Sequence, residues 1–174
     1  LKDFRTEPYT EAICSLVTKY RPEIILMGAT SMGRDVFPAV ASKLKTGLTA
    51  DCTVLGIDPE KKILQQTRPA FGGNIMATIL CKNKRPQMAT VRPRVMAMPE
   101  RVEGRTGEII REGFGFTEED FFTKVIDFIP SDAKSAFLDK AEIIVSVGLG
   151  LAAKRNLEMV QELADVLGKK ALLA

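Results

Sequence analysis

Between Glu11 and Tyr20, the residues Ala12, Ile13, Leu16, Val17 and Tyr20 recur at helical spacing and form one apolar stripe. Arg21-Pro22 is expected to end that helix, because proline disfavours helical geometry in the residue before it. Ile24 to Met27 form a short continuous apolar run closed by Gly28, the pattern of a strand buried on both faces. A second helix follows, with Val36, Phe37, Val40, Ala41 and Leu44 on its inner side. Pro38 lies within its first turns, where a missing N–H is tolerated. Helix, buried strand and helix in succession predict an α/β sheet.

From Leu48 to Pro93 the texture changes. The segments 50–57, 63–67, 74–81 and 88–91 all read as extended, and Asp58-Pro59-Glu60-Lys61 supplies turn residues for a hairpin between the first two. Residues 101–111 read as loop plus edge strand, and 124–129 as another strand before Pro130. Near Lys140 the α/β rhythm restarts with a strand at 143–147, a turn at Gly148-Leu149-Gly150 and an amphipathic helix at 156–167. That helix carries Leu157, Val160, Leu163, Ala164 and Leu167 inward, and Gly168 is placed to cap it. Ala171 to Ala174 begin a further strand, which needs a following helix to cover both its faces. A domain boundary is therefore expected in the region 130–141, with more chain expected beyond Ala174. The absence of an initiator Met at Leu1 likewise suggests a missing N-terminus.

Composition narrows the function classes. Hydrophobic residues make up 45 % and charged residues 27 %, an ordinary globular balance. The formal charge of +3, from 25 basic and 22 acidic residues, argues against a nucleic-acid binder. The densest basic stretch, Lys82 to Arg94, reads as a basic loop followed by a strand with an exposed charged face. The 3 cysteines, Cys14, Cys52 and Cys81, are widely spaced and read as small buried hydrophobes in a reducing compartment. With 0 histidines, His-based catalysis, His metal sites and Ser-His-Asp triads are excluded from these residues. No apolar run reaches the ~20 residues of a membrane-spanning helix.

Three segments could carry chemistry. The loop Gly28-Ala29-Thr30-Ser31-Met32-Gly33 runs from a strand to a helix start, where backbone N–H groups can hold phosphate or Ser31 can simply cap the helix. Gly148-Leu149-Gly150-Leu151-Ala152-Ala153 fits G-x-G-x-x-A, which permits close backbone approach to a pyrophosphate or makes an ordinary tight turn. The least ordinary stretch is Thr67-Arg68-Pro69-Ala70-Phe71-Gly72-Gly73-Asn74. Its glycines permit positive φ, and Arg68 offers a planar donor fork suited to a phosphate, a carboxylate or the edge of a flavin ring. Equally, Arg68 could sit in a bulged connection and pair with a local carboxylate, Asp35 or Asp51.

Taken in order, GATSMGRD at 28–35, LKTGLTADCT at 44–53, TRPAFGGNIMATI at 67–79 and RPQMATVRP at 85–93 resemble the electron transfer flavoprotein α subunit. The likeness continues through AEIIVSVGLGL and NLEMVQELADVLG, and so covers nearly the whole chain. It implies a nucleotide-binding-like α/β sheet domain over residues 1–140, lacking roughly 70 to 90 residues at its start by typical domain size. It then implies the start of a second, doubly wound FAD-binding domain at 141–174, with most FAD contacts beyond Ala174. The expected cofactor contacts are Arg68, Gly72, Gly73 and Asn74 in the first domain and Gly148, Leu149 and Gly150 in the second, with no catalytic residue and no metal. The family usually has Gly-Arg-Gly or Gly-Lys-Gly where this chain has Gly148-Leu149-Gly150, so the cation is absent there.

The versions of TRPAFGGN and RPQMATVRP are more similar to the bifurcating group than to the simple carriers. That resemblance implies a heterodimer with an electron transfer flavoprotein β subunit, which carries a second FAD in the bifurcating group or AMP in simple carriers. It implies NADH as the bifurcating group's electron donor, an acyl-CoA or hydroxy-acid dehydrogenase as redox partner, and ferredoxin or flavodoxin as low-potential acceptor. It also implies a cytoplasmic location in a prokaryote, or the mitochondrial matrix in a eukaryote. Two other readings compete: an ATP- or AMP-binding module of the universal-stress type built on the 28–33 loop, and an NAD(P)-dependent oxidoreductase built on GLGLAA. Neither accounts for TRPAFGGN or RPQMATVRP.

Overall fold

A computed structural model describes residues 3–129, 141–151, 154–168 and 171–173. The chain divides into two compact units, with the boundary between Ile126 and Asp127. The boundary expected at 130–141 falls mostly outside the described residues.

In the first unit, helix α1 (Thr6–Tyr20) starts earlier than its apolar stripe announced. Pro8 stands in the first turn, where its missing N–H is no loss, and Glu7 there faces the positive end of the helix dipole. Arg21 ends the helix in a left-handed conformation at φ 47°, its N–H donating to the Val17 carbonyl. Strand β1 (Ile24–Gly28) and helix α2 (Ser31–Leu44) follow as expected. Pro38 is deeper in α2 than anticipated, well past the first turn, so the Arg34 carbonyl has no N–H at the usual i+4 position.

Strands β2 (Leu48–Cys52), β3 (Val54–Ile57), β4 (Leu64–Ala70) and β5 (Ile75–Leu80) come next. β3, β4 and β5 form an antiparallel meander, with Val54 opposite Thr67 and Arg68 opposite Ala77. The Asp58 turn closes the first hairpin as predicted, its carboxylate accepting from the N–H groups of Glu60 and Lys61 at 3.0 and 2.9 Å. The last strand, β6 (Gln87–Val91), leaves the meander and inserts between β1 and β2, parallel to both.

That insertion corrects the expectation of an exposed charged strand after the basic loop. Gln87, Met88, Ala89 and Thr90 are all buried. The polar pair is tolerated because each side chain serves a backbone group. Gln87 Oε1 accepts from the Leu64 N–H at 2.8 Å, and Thr90 Oγ1 accepts from the Asp51 N–H at 2.8 Å.

The unit is layered as helices, parallel sheet and antiparallel sheet. On one face, Cys14 of α1 and Val36, Phe37, Val40 and Ala41 of α2 enclose Met88, flanked by Ile25 and Met27. On the other, Cys52, Leu64 and Ala89 cluster with Ile24 and Leu55. β1 was expected to be buried on both faces, yet Leu26 is 49 % exposed. Among the described residues β1 is an edge strand; Ile25 and Met27 pack under the helices, and on the other face Ile24 is covered while Leu26 is not. Cys14 and Cys52 are buried as expected, whereas Cys81 is half-buried.

Beyond β6, residues 92–129 contain no strand, contrary to the expectations at 101–111 and 124–129. Polar side chains of α1 and the residue before it hold this segment instead. Arg5 makes a two-pronged pair with Glu118 at 2.8 Å on each oxygen, and its guanidinium stands 5.5 Å from the Phe121 ring centre. The Phe122 N–H donates to Glu7 at 3.0 Å, and Lys19 pairs with Glu112 at 2.6 Å. Ile126, Phe128 and Ile129 are exposed, so the apolar run that suggested a strand has no sheet to join.

The second unit contains β7 (Ile143–Val145), a short 3-10 turn at Leu149–Leu151, helix α3 (Lys154–Leu167) and β8 (Ala171–Leu173). β7 and β8 pair in parallel, Ile143 opposite Ala171, which completes a strand–helix–strand unit. Gly168 follows α3 at φ 94°, as a C-terminal cap should. Of the face expected to point inward, Val160 and Ala164 are buried, while Leu157, Leu163 and Leu167 remain substantially exposed. Among the described residues no helix is long and apolar enough to cross a membrane, and no cluster of acidic or thiol ligands could hold a metal ion.

Candidate functional site

The carboxyl ends of β1, β6 and β2 lie at one end of the parallel sheet, where open α/β folds place their ligands. The first loop there, Gly28 to Gly33, is built for tight packing. Thr30, not Ser31, caps α2, its Oγ1 accepting from the Gly33 N–H at 3.1 Å. A Cβ on Gly33 would lie 2.0 Å from the Gly28 carbonyl oxygen, so this glycine lets helix and strand touch. The hollow beside it, about 230 Å³, is lined by Phe4, Tyr9, Ile13, Met27, Met32 and neighbours. Such a lining suits an apolar group far better than a phosphate.

Beside this loop lies a charge cluster assembled from separate elements. β2 is irregular between Thr49 and Cys52, and Asp51 sits in that irregularity at φ 62°. Its carboxylate accepts from Arg34 of α2 at 3.0 Å, and from Arg92, just after β6, at 2.5 and 3.1 Å. Arg34 is itself braced by Nε donating to the Ala29 carbonyl at 3.0 Å. The Arg92 hydrogen bond, opposed by partial desolvation and helped by the charges of Arg92, Arg34 and Arg68, holds the Asp51 carboxyl below the usual carboxylate range. Two arginines thus bond one carboxylate, and Arg68 adds only its charge at longer range.

Arg68 is the least engaged of the three. It lies on β4, and its hydrogen bond is a long one, Nε to the Pro69 carbonyl at 3.4 Å. Among the described residues it forms no ion pair and its terminal N–H groups have no hydrogen-bond partner. Of the two carboxylates considered as partners, Asp35 accepts from the Thr6 hydroxyl, and Asp51 feels the charge of Arg68 without a direct bond. In place of the bulged connection, one alternative for this stretch, stands a regular strand end followed by the tip of the β4–β5 hairpin. There Phe71, Gly72 and Gly73 adopt φ of 48°, 69° and 93° in succession, and the Asn74 N–H donates to the Phe71 carbonyl at 3.5 Å. The conformation, not crowding, requires the glycines, since a Cβ at either would meet nothing within 4 Å.

The structure therefore brings Arg68, Gly72, Gly73 and Asn74 to one hairpin tip. Gly148, Leu149 and Gly150 belong to the second unit, in the turn after β7, where the Leu151 N–H donates to the Gly148 carbonyl at 3.1 Å. Neither Gly148 nor Gly150 has a positive φ, and a Cβ on either would meet nothing within 4 Å. Neither backbone conformation nor a neighbour among the described residues explains them. Sequence reasoning named Asp51 only as a possible partner of Arg68 and missed Arg34 and Arg92. The signal available was that Asp51 and Arg92 lie at strand carboxyl ends and Arg34 in the first turn of the helix that follows another.

The described residues of the first unit fit one edge of a flat, electron-rich ring: free donors on Arg68 and an open turn beside it. By themselves these described residues do not form a complete dinucleotide cradle.

Residues 1–113 match the electron transfer flavoprotein domain family. The chain is 50 % identical to a protein named FixB from Azorhizobium caulinodans over 169 residues, covering 97 % of this chain and 46 % of that one. It is 51 % identical to the electron transfer flavoprotein subunit alpha of Thermoanaerobacterium thermosaccharolyticum over 169 residues, with 97 % and 51 % covered. The subunit alpha of Megasphaera elsdenii is 44 % identical over 170 residues, with 97 % and 50 % covered. The chain thus spans about half the length of the curated relatives it matches. Its two layers of helix and parallel strand, its hairpin TRPAFGGN and these relationships agree: the chain belongs to the electron transfer flavoprotein family, among its α subunits.

Proposed function

We propose that this chain is part of an FAD-binding electron-transfer subunit that works as a heterodimer with an electron transfer flavoprotein β subunit. The carrying observation is the family membership, joined to an arginine at the TRPAFGGN tip whose terminal donors have no partner among the described residues. Residues 1–140 are read as the first domain, and 141–174 as the opening of a doubly wound FAD-binding domain. In the latter, the backbone of Gly148 and Gly150 allows close approach of a pyrophosphate, and Leu149 brings no cation to it.

When bound, FAD supplies the redox chemistry. Arg68 would donate N–H groups to the edge of a second flavin held mainly by the β subunit, and its positive charge would favour negative charge on the reduced ring. Gly72 and Gly73 keep side chains out of the approach, and Asn74 sets the end of the turn. A second flavin in this position would fit the bifurcating reading, with NADH as donor, a dehydrogenase as one partner and ferredoxin or flavodoxin as the low-potential acceptor.

Flavin and AMP content of the whole heterodimer, released by denaturation, tests this directly. Two FAD per heterodimer are expected; one FAD with one AMP would indicate a simple carrier. No flavin, with saturable ATP binding, would replace the reading by a nucleotide-binding module. Replacing Arg68 by alanine is expected to keep both flavins bound and to lower the potential of one of them. Loss of a hydrogen bond to a charged group corresponds to about 1.5–3 kcal/mol. Spectroelectrochemical titration reads this, and unchanged potentials for both flavins would count against a role for Arg68.

A further inference from the structure

The layer between the parallel sheet and the meander is apolar around Cys52, Leu64 and Ala89, yet polar side chains enter it from both sheets. Gln66 of β4 is 1 % exposed, and neither its Oε1 nor its Nε2 has a hydrogen-bond partner among the described residues. Its cross-strand neighbours are Leu55 and Ile79. Leu55 packs against the Cys52, Leu64 and Ala89 cluster, so the Gln66 side chain points into the layer. Gln87 of β6 enters from the opposite sheet. It is fully buried, its Oε1 accepts from the Leu64 N–H at 2.8 Å, and its Nε2 has no partner among the described residues. Leu64 and Gln66 share one face of β4, about 7 Å apart along the strand, which makes the two amides neighbours. The Thr53 hydroxyl is also buried and unpartnered, and the Thr53 N–H donates at 2.9 Å to the carbonyl of Thr67, the residue after Gln66.

Among the described residues, every buried side-chain polar atom without a partner belongs to these three residues. A buried polar atom left unpaired opposes folding, so such a concentration calls for a ligand. The donor set identifies its class. Two amide NH2 groups, one amide carbonyl and one hydroxyl carry no charge for an anion and offer a cation too few oxygens. Water both donates and accepts, and two to four polar partners hold it in an interior. Cys52 and Ala89, the parallel-sheet side chains of the apolar cluster, are small and leave width for it.

We propose that this layer binds internal water on both sides of the Gln66 amide, toward Gln87 and toward Thr53. The NH2 groups of Gln66 and Gln87 donate to the water, which in turn donates to Gln66 Oε1 and Thr53 Oγ1. The meander is thereby seated on the parallel sheet partly through solvent. Gln66 stands two residues before Arg68, so the water helps to fix the strand from which the hairpin tip extends.

A crystal structure of the whole heterodimer, at a resolution that shows ordered solvent, tests this directly. Water is expected within hydrogen-bond distance of the Gln66 amide and of Gln87 Nε2 or Thr53 Oγ1. A dry layer, with the Gln66 amide unpaired or bonded directly to either side chain, overturns the proposal. Urea unfolding of the same complex gives an independent reading. Gln66→Met keeps the side-chain length but holds no water, and the folded-to-unfolded ratio at fixed urea is expected to fall by about tenfold. Thr53→Val, close in shape to threonine, should lower the ratio too and supplies the same test if Gln66→Met fails to assemble. The double variant should lose less than the two single losses combined, because both act on the same water. In a layer that is dry and unpaired, either substitution removes an orphaned polar group, so a ratio unchanged or raised overturns the proposal.

Discussion

Replacing Gly33 by alanine is expected to destabilise the first unit by about 3 kcal/mol or more, near the upper range for overpacking in a closed site. The new Cβ would meet the Gly28 carbonyl oxygen at 2.0 Å and Met27 Cγ at 3.2 Å. The first of these is backbone, so no rotamer change relieves it. Either α2 slides away from the end of β1 or the strand bends. Both movements disturb the Thr30 cap, whose acceptor bonds the Gly33 N–H itself. Urea unfolding of the whole protein would measure the loss, and a midpoint within error of the parent would show that α2 yields more easily than its packing suggests.

The second large effect is expected at Phe37. Its side chain is fully buried, between α1 and the parallel sheet, in the cluster that includes Cys14, Val40 and Met88. Phe37→Ala should cost about 3–5 kcal/mol, combining lost transfer energy with an unfilled cavity. Phe37→Leu, which refills most of the volume, should cost much less. The comparison matters because Met88 is flexible enough to move into modest gaps. Equal losses for the two variants, measured by the same urea titration, would mean that ring shape rather than volume holds α2 in place.

Much of this architecture was legible in the order of apolar residues. α1, α2, the β3–β4 hairpin, α3 and its Gly168 cap follow from local periodicity and turn chemistry, which act between residues close in sequence. β6 was misjudged because its environment is not local. Gln87 and Thr90 look like solvent-facing residues, and only the distant backbone groups of Leu64 and Asp51 make them suitable for burial. The run before Pro130 erred in the opposite sense: its residues are apolar enough for a strand, but strand identity needs a partner edge. For the site, the TRPAFGGN string was visible as a motif because positive φ and a planar donor are properties of single residues. The sharing of Asp51 between Arg34 and Arg92 was not, since it depends on α2, β2 and the end of β6 converging.

The central place of β6 also has a consequence for how the molecule comes into being. Among the described residues, Ile24 and Ile25 find their sheet partners in Gln87 and Met88, and Leu48 likewise pairs with Met88. A ribosome synthesising this chain delivers both flanking strands long before the one that joins them. Helices α1 and α2 can associate early, and the meander can close as successive hairpins, because their contacts are short in sequence. Until residue 91 emerges, however, β1 and β2 each carry an open edge and the helical layer lacks Met88 beneath it. The nascent protein therefore passes through a stage with two unjoined strand edges, the kind of surface that chaperones shield and that aggregates when they do not.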